Sequence, residues 1–261
     1  MPFVLPLQVI TRAVPASFDR ALQHRVTSID VARARLQHAD YVAALRESGA
    51  HVTVLPTEDD LPDSCFVEDP VVVLGQSALL CRSAAPSRAP EGQTLASPLR
   101  KHRPLTTMSA PATLDGGDVM RVDDVLYVGR SARSNAHGIQ QLRRLAEAEG
   151  LSVVPIALEA GLHLKSVVSL AGPDLIVCHH NGPDPRDFRN VDVVMVSEDV
   201  GGNVLAMGSH VLVSAAAPNT AEQLARRGCR VRMVAVDEFH KADGALTCLS
   251  IRIPPANGWV T

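Results

Sequence analysis

The sequence predicts a single α/β domain that spans residues 1–261. Short aliphatic runs of strand length alternate with helical stretches, and the strands are in excess. No linker rich in Pro, Gly or Ser divides the chain. With 46% hydrophobic and 20% charged residues, a chain of this length can bury one substantial aliphatic core.

The predicted strands are short runs with a high content of Val, Ile and Leu, bounded by polar residues, Gly or Pro. In chain order they are HVTVLP, PVVVLG, ALLCR, VLYVG, SVVPIAL, DLIVCH, VDVVMVS, NVLAMG, HVLVSA and VRMVAVD. Strand pairs and helices recur at intervals of about 50 residues, which hints at a pseudo-repeat around an axis. Exact self-similarity is absent.

Three helices are predicted, over residues 29–49, 135–150 and 219–228. Each segment ends in Gly, the residue that most readily adopts the left-handed conformation after a helix. Asn219 and Thr220 are candidate N-caps of the last helix. The segment from Ala84 to Pro111 is rich in Ser, Pro, Arg and His, and we expect surface loop with one short helix.

Composition excludes several functional classes. Aromatic residues make up 3% and the net charge is -3, so neither stacking rings nor a basic surface for nucleic acid is expected. No apolar run has the length of a membrane-spanning helix. The five cysteines include no Cys-x-x-Cys pair. These features predict a reduced, soluble, cytoplasmic protein with no nucleic-acid or membrane partner.

An acidic cluster interrupts the apolar segment PDSCFVEDPVVVLG. Asp63, Glu68 and Asp69 lie at the start of a predicted strand, where like charges repel unless a cation is present. A solvated loop that ends at Pro70 is one interpretation. The other is a pocket for a cationic group, such as a guanidinium or a metal ion.

The segment TLDGGDVMRV places two glycines between Asp115 and Asp118. A tight turn stabilised by aspartate side chains is one interpretation. The other is a carboxylate held rigidly at the end of a strand, where glycine permits a close approach of another segment.

Two further residues carry chemistry inside apolar surroundings. His163 lies between leucines in GLHLKS, and alternation along a strand would place it on one face with Lys165. Cys248 lies in KADGALTCLSIRIP, which is predicted as a buried strand. Each is compatible with a packing role. Together with an acid they supply the components of an activated thiol nucleophile.

The residues alone therefore indicate a thiol enzyme for a cationic substrate, with their spatial convergence left open. A metal site at Cys178, His179 and His180 is a weaker alternative, because VCHHNGPD lacks the ligand spacing of a tetrahedral site. A thiolate at Cys248 beside His163 can still capture zinc, which would inhibit the enzyme.

The motifs PDSCFVEDPVVV, APSR, TLDGGDVM, GRSARSNAHG, GLHLKS and DGALTC occur in the order seen in dimethylarginine dimethylaminohydrolases. The chain resembles this family from about Thr11 to Ile253. The resemblance implies the pentein fold, a five-bladed α/β propeller of ββαβ units around a central polar channel. It would also explain the weak repeat.

By this resemblance Cys248 is the nucleophile, His163 the general acid and base, and Asp115 the acid that orients His163. The remaining roles concern substrate binding. They are the acidic side of the pocket (Asp63, Glu68 and Asp69), a further guanidinium partner (Asp243), the carboxylate-binding pair (Arg88 and Arg133) and two backbone carbonyls for the α-amino group (Leu22 and Ala242).

The implied activity is hydrolysis of N-methylated L-arginine to L-citrulline and a methylamine through a covalent thiouronium, with no metal or organic cofactor. The alternatives are another guanidine-modifying hydrolase, such as an arginine deiminase, and a non-enzymatic binder of an arginine derivative. Aspartate at position 115 and the length of the chain favour the methylarginine branch. A small molecule is the expected partner, and a homodimer is left open.

Overall fold

The repeating unit of the fold is a three-stranded sheet, and residues 7–255, the part of the chain that the computed structural model describes, contain five of them. In each sheet the first two strands in order pair antiparallel and the third runs parallel to the second. A parallel return requires a crossover connection. Four units cross over through an α-helix, and one uses only a short 3₁₀ turn, Pro185–Asp187.

The strands are β1 (Gln8–Arg12), β2 (His51–Leu55), β3 (Val71–Val73), β4 (Ala78–Leu80), β5 (Leu105–Thr107), β6 (Val119–Val122), β7 (Val125–Arg130), β8 (Ser152–Ala157), β9 (Val168–Gly172), β10 (Leu175–His179), β11 (Asp192–Val196), β12 (Leu205–Met207), β13 (His210–Ser214), β14 (Arg230–Val234) and β15 (Ile251–Ile253). The sheets have the orders β15-β1-β2, β3-β4-β5, β6-β7-β8, β9-β10-β11 and β12-β13-β14.

The α-helices are α1 (Val31–Glu47), α2 (Glu91–Arg100), α3 (Ala136–Ala148), α4 (Leu164–Val167), α5 (Pro218–Arg226) and α6 (Asp237–His240). Side chains cap the long helices: Asp30 accepts from the backbone N–H of Arg33, and Asn135 accepts from that of Gly138. The predicted glycine stops are confirmed, since Gly49, Gly150 and Gly228 have φ of 88°, 76° and 88°.

Each strand and helix in the lists of predicted elements has a counterpart in the structure. Four strands, β1, β5, β6 and β9, were not predicted. The segment KADGALTCLSIRIP, predicted as a buried strand, is a strand only at Ile251–Ile253, which is β15. The predicted cap of α5 is wrong: the helix begins one residue before Asn219, with Ala217 at the N-cap and Pro218 in the first turn. Proline suits that position because its fixed φ is helical and its missing N–H has no helical partner there.

A cavity of about 110 Å³, which we call the central channel, lies where the five units meet. The first strand of each unit reaches it, or a residue next to that strand does. The lining includes Val71–Val73 of β3, Val119–Arg121 of β6, Ser169 and Leu170 of β9, Val204 before β12, and Ile251 and Arg252 of β15. The five-bladed α/β propeller implied by the resemblance is therefore confirmed.

The ring is closed by β1 and β15, which come from opposite ends of the described residues. Val9 lies opposite Arg252 on one side and opposite Val52 on the other. The core lies between the sheets and their helices. Its largest cluster packs α1, through residues such as Tyr41 and Leu45, against the sheet β12-β13-β14. Among residues 7–255, no helix combines the length and the apolar character that crossing a bilayer requires.

Candidate active site

Cys248 is not in a strand, contrary to the prediction. It lies in a 3₁₀ turn, Thr247–Leu249, just before β15. The Cys248 carbonyl accepts a hydrogen bond from the backbone N–H of Glu68 at 3.2 Å, which ties the turn to the acidic segment before β3. The thiol is half-buried and forms no disulfide. A tight turn places the sulfur at the mouth of the ring, whereas a strand would have buried it between sheets.

Two buried side chains hold this turn. The Tyr41 hydroxyl of α1 lies 2.9 Å from the Leu246 carbonyl oxygen and 2.8 Å from Ser250 Oγ, so it spans the turn. Asn203 donates through Nδ2 to Thr247 Oγ1 at 2.9 Å and to the carbonyl of Lys165 at 2.7 Å. Asn203 therefore connects the segment that carries Cys248 with the segment that carries His163.

His163 also differs from its predicted setting. It is the N-cap of the single-turn helix α4, and Ser166 Oγ accepts a hydrogen bond from its backbone N–H. The alternation argument that paired His163 with Lys165 on one strand face is therefore wrong. Helix geometry instead turns Lys165 towards the central channel.

The imidazole of His163 lies between two carboxylates. Its Nε2 is 3.1 Å from Asp115 Oδ2, and its Nδ1 is 3.8 Å from Asp69 Oδ1. Burial would lower the pKa of His163, but Asp69 and the hydrogen bond to Asp115 outweigh it and raise the pKa to about 8. With Nε2–H donating to Asp115, Nδ1 is the nitrogen left to exchange a proton.

The two glycines of TLDGGDVMRV are required by close packing at this point. A Cβ on Gly117 would lie 2.8 Å from His163 Nδ1 and 2.7 Å from Asp69 Oδ1. A Cβ on Gly116 would collide with the backbone of Glu68. The motif forms a 3₁₀ turn, but neither Asp115 nor Asp118 caps it with its side chain. The second interpretation is supported, since the turn places the Asp115 carboxylate beside His163.

Asp118, at the end of the same turn, connects the surrounding segments. It is fully buried and accepts from the backbone N–H of Leu164 at 2.9 Å and from the hydroxyls of Ser131 and Ser134 at 2.5 Å each. Leu164 follows His163, and the two serines flank Arg133. Asp118 therefore fixes His163 and Arg133 relative to each other.

A cavity of about 270 Å³ brings most of the predicted site residues together, and we call it the arginine-lined cavity. Its walls include Leu22, Asp63, Asp69, Arg88, Arg133, His163, Ala242, Asp243 and Cys248. Asp115 lies behind His163 and does not reach the wall. The predicted roles of these residues stay predictions, but their convergence is a property of the structure.

Two of the carboxylates hold the loop over this cavity. Asp63 accepts from the backbone N–H of Leu22 at 3.1 Å, and Asp243 accepts from that of His24 at 2.6 Å. Each carboxylate keeps further lone pairs, because an ionised carboxyl group can accept about four hydrogen bonds. Burial raises the pKa of Asp63. The loop and an incoming cation would therefore share these two acids.

Arg88 is a buried cation that is already surrounded by acceptors. It donates to Asp69 at 2.6 Å, to both oxygens of Glu91 and to the carbonyl of Phe66. Burial would raise the pKa of Asp69, but His163 and Arg88 lower it to about 2. Burial raises the pKa of Glu91 to about 7 despite Arg88. At most one N–H of Arg88 is left for a substrate carboxylate. The predicted role of Arg88 in binding that carboxylate depends on this single N–H.

Arg133 offers a freer cation to the arginine-lined cavity. Within residues 7–255 its buried NH1 has no hydrogen-bond partner, although it is 3.7 Å from Asp115 Oδ2. An orphaned buried guanidinium nitrogen is costly unless a ligand completes it. Arg133 is therefore the stronger candidate of the pair for binding an anionic group.

Glu68 is placed differently from the other predicted acids. Its Oε1 accepts from Lys165 Nζ at 2.6 Å and from Arg252 NH2 at 3.0 Å. It does not line the arginine-lined cavity; it lines the central channel. Glu68 also lines a second cavity that reaches Cys248, so it lies between the channel and the site, and its predicted contact with a guanidinium stays a prediction.

The resting thiol is strongly protonated. Burial and then the negative charges of Asp69 and Glu68 raise the pKa of Cys248 to about 12. Cys248 also lines a second cavity, of about 210 Å³, which we call the Asp199 cavity. His163, Leu162, Asp243 and Gly244 are walls of both cavities. The thiol and the imidazole thus lie where the two cavities meet.

Among the described residues, one group of metal-ligating side chains has its donor atoms within 4.8 Å of one another: Asp69, Asp115 and His163. Arg88 already neutralises Asp69, and Arg133 lies close to Asp115. This site is therefore poorly suited to a divalent cation. The weaker alternative at Cys178, His179 and His180 is not such a group.

Sequence reasoning did not identify Tyr41, Glu91, Asp118 and Asn203 as site residues. The spacing of Asp118 from Asp115 was visible, but its partners at Ser131, Ser134 and Leu164 were not. Tyr41 and Asn203 carry no motif, and Glu91 lies in a segment predicted to be mostly surface loop. No signal in the sequence alone points to these three.

Comparison with known proteins adds two kinds of finding. The model of the family "N,N dimethylarginine dimethylhydrolase, eukaryotic" matches residues 10–253. An N(G),N(G)-dimethylarginine dimethylaminohydrolase of Streptomyces coelicolor is 40% identical over 82% of this chain and 83% of its own length. One of Pseudomonas aeruginosa is 33% identical over 85% of this chain and 89% of its own length.

Two solved structures have nearly the same fold. A histidine-to-glycine variant of a dimethylarginine dimethylaminohydrolase, as an adduct with S-methyl-L-thiocitrulline, superposes with a TM-score of 0.92 at 31% identity. It covers 95% of this chain and 100% of its own. A cysteine-to-serine variant from Pseudomonas aeruginosa, complexed with citrulline, superposes with a TM-score of 0.91 at 31% identity, covering 96% and 100%.

Proposed function

This chain belongs to the dimethylarginine dimethylaminohydrolase family, and we propose that it hydrolyses N-ω-methylated L-arginine to L-citrulline and dimethylamine or methylamine. One observation carries the proposal: a single cavity holds a thiol and a charged imidazole together with an arginine and several carboxylates. An amino acid with a cationic side chain is complementary to this arrangement. Its α-carboxylate suits Arg133 and its guanidinium suits the acids.

Binding of the substrate guanidinium also explains how Cys248 becomes a nucleophile. Asp69 and Glu68 oppose ionisation of the thiol in the free enzyme. A bound guanidinium offsets these negative charges, so it lowers the pKa of Cys248 and allows the thiol proton to leave to solvent. Activation is then coupled to the presence of substrate.

The first half of the reaction forms a C–S bond between Cys248 and the guanidinium carbon. His163, as imidazolium, donates its Nδ1 proton to the nitrogen that leaves. The C–N bond breaks with its electron pair on that nitrogen, and a neutral alkylamine departs from a covalent thiouronium. The raised pKa of His163, about 8, keeps the required proton available at neutral pH.

The second half reverses the role of His163. The neutral imidazole takes a proton from water, and the resulting hydroxide adds to the thiouronium carbon. The C–S bond then breaks with its electron pair returning to sulfur, the added hydroxyl passes its proton to the sulfur as the carbonyl forms, and citrulline is released. Asp115 keeps Nε2 protonated throughout, so that Nδ1 always faces the reaction.

Product analysis tests the proposal against its nearest alternative. The chain is incubated with asymmetric dimethylarginine and, in parallel, with arginine, and the products are identified by mass spectrometry. We expect citrulline and dimethylamine from the first substrate at a higher rate than citrulline and ammonia from the second. Ammonia from arginine without dimethylamine release would instead identify an arginine deiminase, and binding without any product a non-enzymatic binder.

The setting of the enzyme is part of the proposal. A cytoplasmic location is supported by five cysteines that form no disulfide. A single catalytic domain over residues 1–261 is supported by the closure of the ring through β1 and β15. A homodimer stays a prediction, which size-exclusion chromatography with light scattering can test.

A further inference from the structure

The proposed reaction takes place in the arginine-lined cavity and assigns no role to the Asp199 cavity. Both cavities end at the same thiol and imidazole. Arg133, the candidate anchor for the amino-acid end of the substrate, lines only the first. A substrate anchored there directs its guanidinium towards Cys248, so groups attached to the far nitrogen extend towards the Asp199 cavity.

The walls of the Asp199 cavity combine small apolar groups with three carboxylates, those of Glu68, Asp199 and Asp243. Leu162, Val200 and Ala245 supply aliphatic surface. Asp199 is exposed, and within residues 7–255 it makes no hydrogen bond or ion pair. Carbon-rich walls and an unmatched negative charge suit a small alkylammonium ion.

The polar residues of this cavity other than its acids are already engaged. Lys165 is bound to Glu68, and Asn203 to Thr247. His240 is hydrogen-bonded through one ring nitrogen to Gly244 and through the other to Ser214. Glu68 is nine-tenths buried, and its Oε2 has no hydrogen-bond partner among the described residues. No free cation therefore opposes a positively charged ligand here.

We propose that the Asp199 cavity is the leaving-group subsite: it accepts the N-alkyl substituents of the substrate and then the alkylamine that departs. The inference rests on the proposed function. It adds that the walls of the Asp199 cavity limit the size of the N-alkyl substituent that the enzyme accepts. When the C–N bond breaks, the nitrogen keeps the electron pair and takes the His163 proton. The neutral amine then gains a second proton from water and becomes the alkylammonium ion that faces Asp199.

The apolar wall is tested by changing the size of residue 200. Val200→Phe and Val200→Ala are compared with the unaltered enzyme on NG-methyl-, NG,NG-dimethyl- and NG-propyl-L-arginine. We expect Val200→Phe to lower kcat/KM for the propyl substrate at least about tenfold more than for the methyl substrate. Val200→Ala should shift the same ratio in the opposite direction.

A general folding defect would lower kcat/KM for all three substrates by the same factor, and such a result would overturn the inference. The proposed function fails in a different way, namely if the unaltered enzyme releases no alkylamine from any of the three. The two failures are therefore distinguishable in one set of measurements.

The carboxylate is tested separately, with dimethylammonium chloride as a product inhibitor. Asp199→Asn should raise the inhibition constant about two- to fivefold, as expected for an exposed ion pair. Asp192→Asn is the matched control, since Asp192 is an exposed carboxylate of the same unit that does not line the cavity. Equal inhibition constants in all three proteins would contradict the role of Asp199 even if Val200→Phe is insoluble.

Discussion

The central channel and the arginine-lined cavity both contain charged side chains in an otherwise aliphatic ring, but the two sets of charges have different partners. In the channel Glu68 is paired with Lys165 and Arg252. In the cavity Asp63 and Asp243 hold only backbone N–H groups, and NH1 of Arg133 has no hydrogen bond within the described chain. Within residues 7–255 the channel carboxylate is thus matched by two ion pairs, although Glu68 Oε2 and Arg252 Nε make no hydrogen bond. Asp63 and Asp243 have no ion pair among these residues and can accept a cationic ligand.

The largest effect should come from removing the proposed nucleophile of the arginine-lined cavity. Cys248→Ser should reduce kcat by at least about a thousandfold, because an unactivated hydroxyl replaces the thiol. The free energy of unfolding should change by no more than about 1 kcal/mol, since the swap is nearly isosteric. Steady-state assays and urea denaturation measure the two quantities.

Cys229→Ser is the control, because Cys229 is also a free, half-buried thiol but lies outside both cavities. Its activity should stay within about twofold of the unaltered enzyme. Full activity in Cys248→Ser would remove the covalent mechanism.

Breaking the channel should affect stability instead. Glu68→Gln leaves Lys165 and Arg252 without a counter-charge in a buried place, which should cost about 3 kcal/mol in the free energy of unfolding. Asp243→Asn is the matched cavity variant, and Asn tolerates the φ of 56° found there. It should cost less than about 0.5 kcal/mol. If urea denaturation showed the same loss of unfolding free energy in both variants, the proposed difference between the channel and the cavity would be wrong.

Removing the open cation should weaken binding more than chemistry. Arg133→Ala should raise KM about 10- to 100-fold with little change in kcat, since charge-assisted hydrogen bonds contribute about 1.5–3 kcal/mol. A fall in kcat alone would show that the substrate carboxylate is bound elsewhere. Arg88→Ala is compared with Arg133→Ala, because Arg88 also forms buried ion pairs. It should also destabilise the fold, because Asp69 and Glu91 lose their buried partner.

The smallest effect is a pH dependence. The pKa of His163 is raised from 6.5 to about 8, so the imidazolium that protonates the leaving amine is present below that pH. Amine release in a single turnover should fall to about half near pH 8 and to about a tenth near pH 9. The same shift contributes about 2 kcal/mol of stability, complete below pH 6.5 and lost as the pH rises through 8.

His163→Gly provides the control for both parts of this prediction. It should abolish amine release, and its free energy of unfolding should lose the decline between pH 6.5 and pH 8. If amine release by the unaltered enzyme increased steadily through pH 9, His163 would not be the proton donor.

Much of the fold was predictable because aliphatic runs and glycine stops are local signals. The three-residue strand β5 was not, and the strand predicted around Cys248 forms only over β15, since both depend on pairing partners elsewhere in the chain. The order of the motifs identified Cys248, His163 and Asp115, but local pattern misplaced the first two in strands. What decides their conformation is tertiary: Tyr41 holds the turn of Cys248 across 209 residues to Ser250, and Asp118 caps the segment after His163.

The residue types of the site indicated less about which charges can bind a ligand than their partners in the structure do. Glu68 and Asp63 both belong to the acidic cluster, and only the structure shows that one is matched by cations and the other is not. Arg88 and Arg133 differ in the same way. Composition and spacing specify which charges are present, whereas the neighbours that neutralise them come from other units of the ring.

The position of Cys248 next to the closing strand has a consequence for biosynthesis. Cys248 lies three residues before the start of β15, and β15 pairs with β1, which leaves the ribosome much earlier. A nascent chain would carry the acids, the imidazole and the arginines before it carries a nucleophile, so no partly synthesised ring can consume substrate.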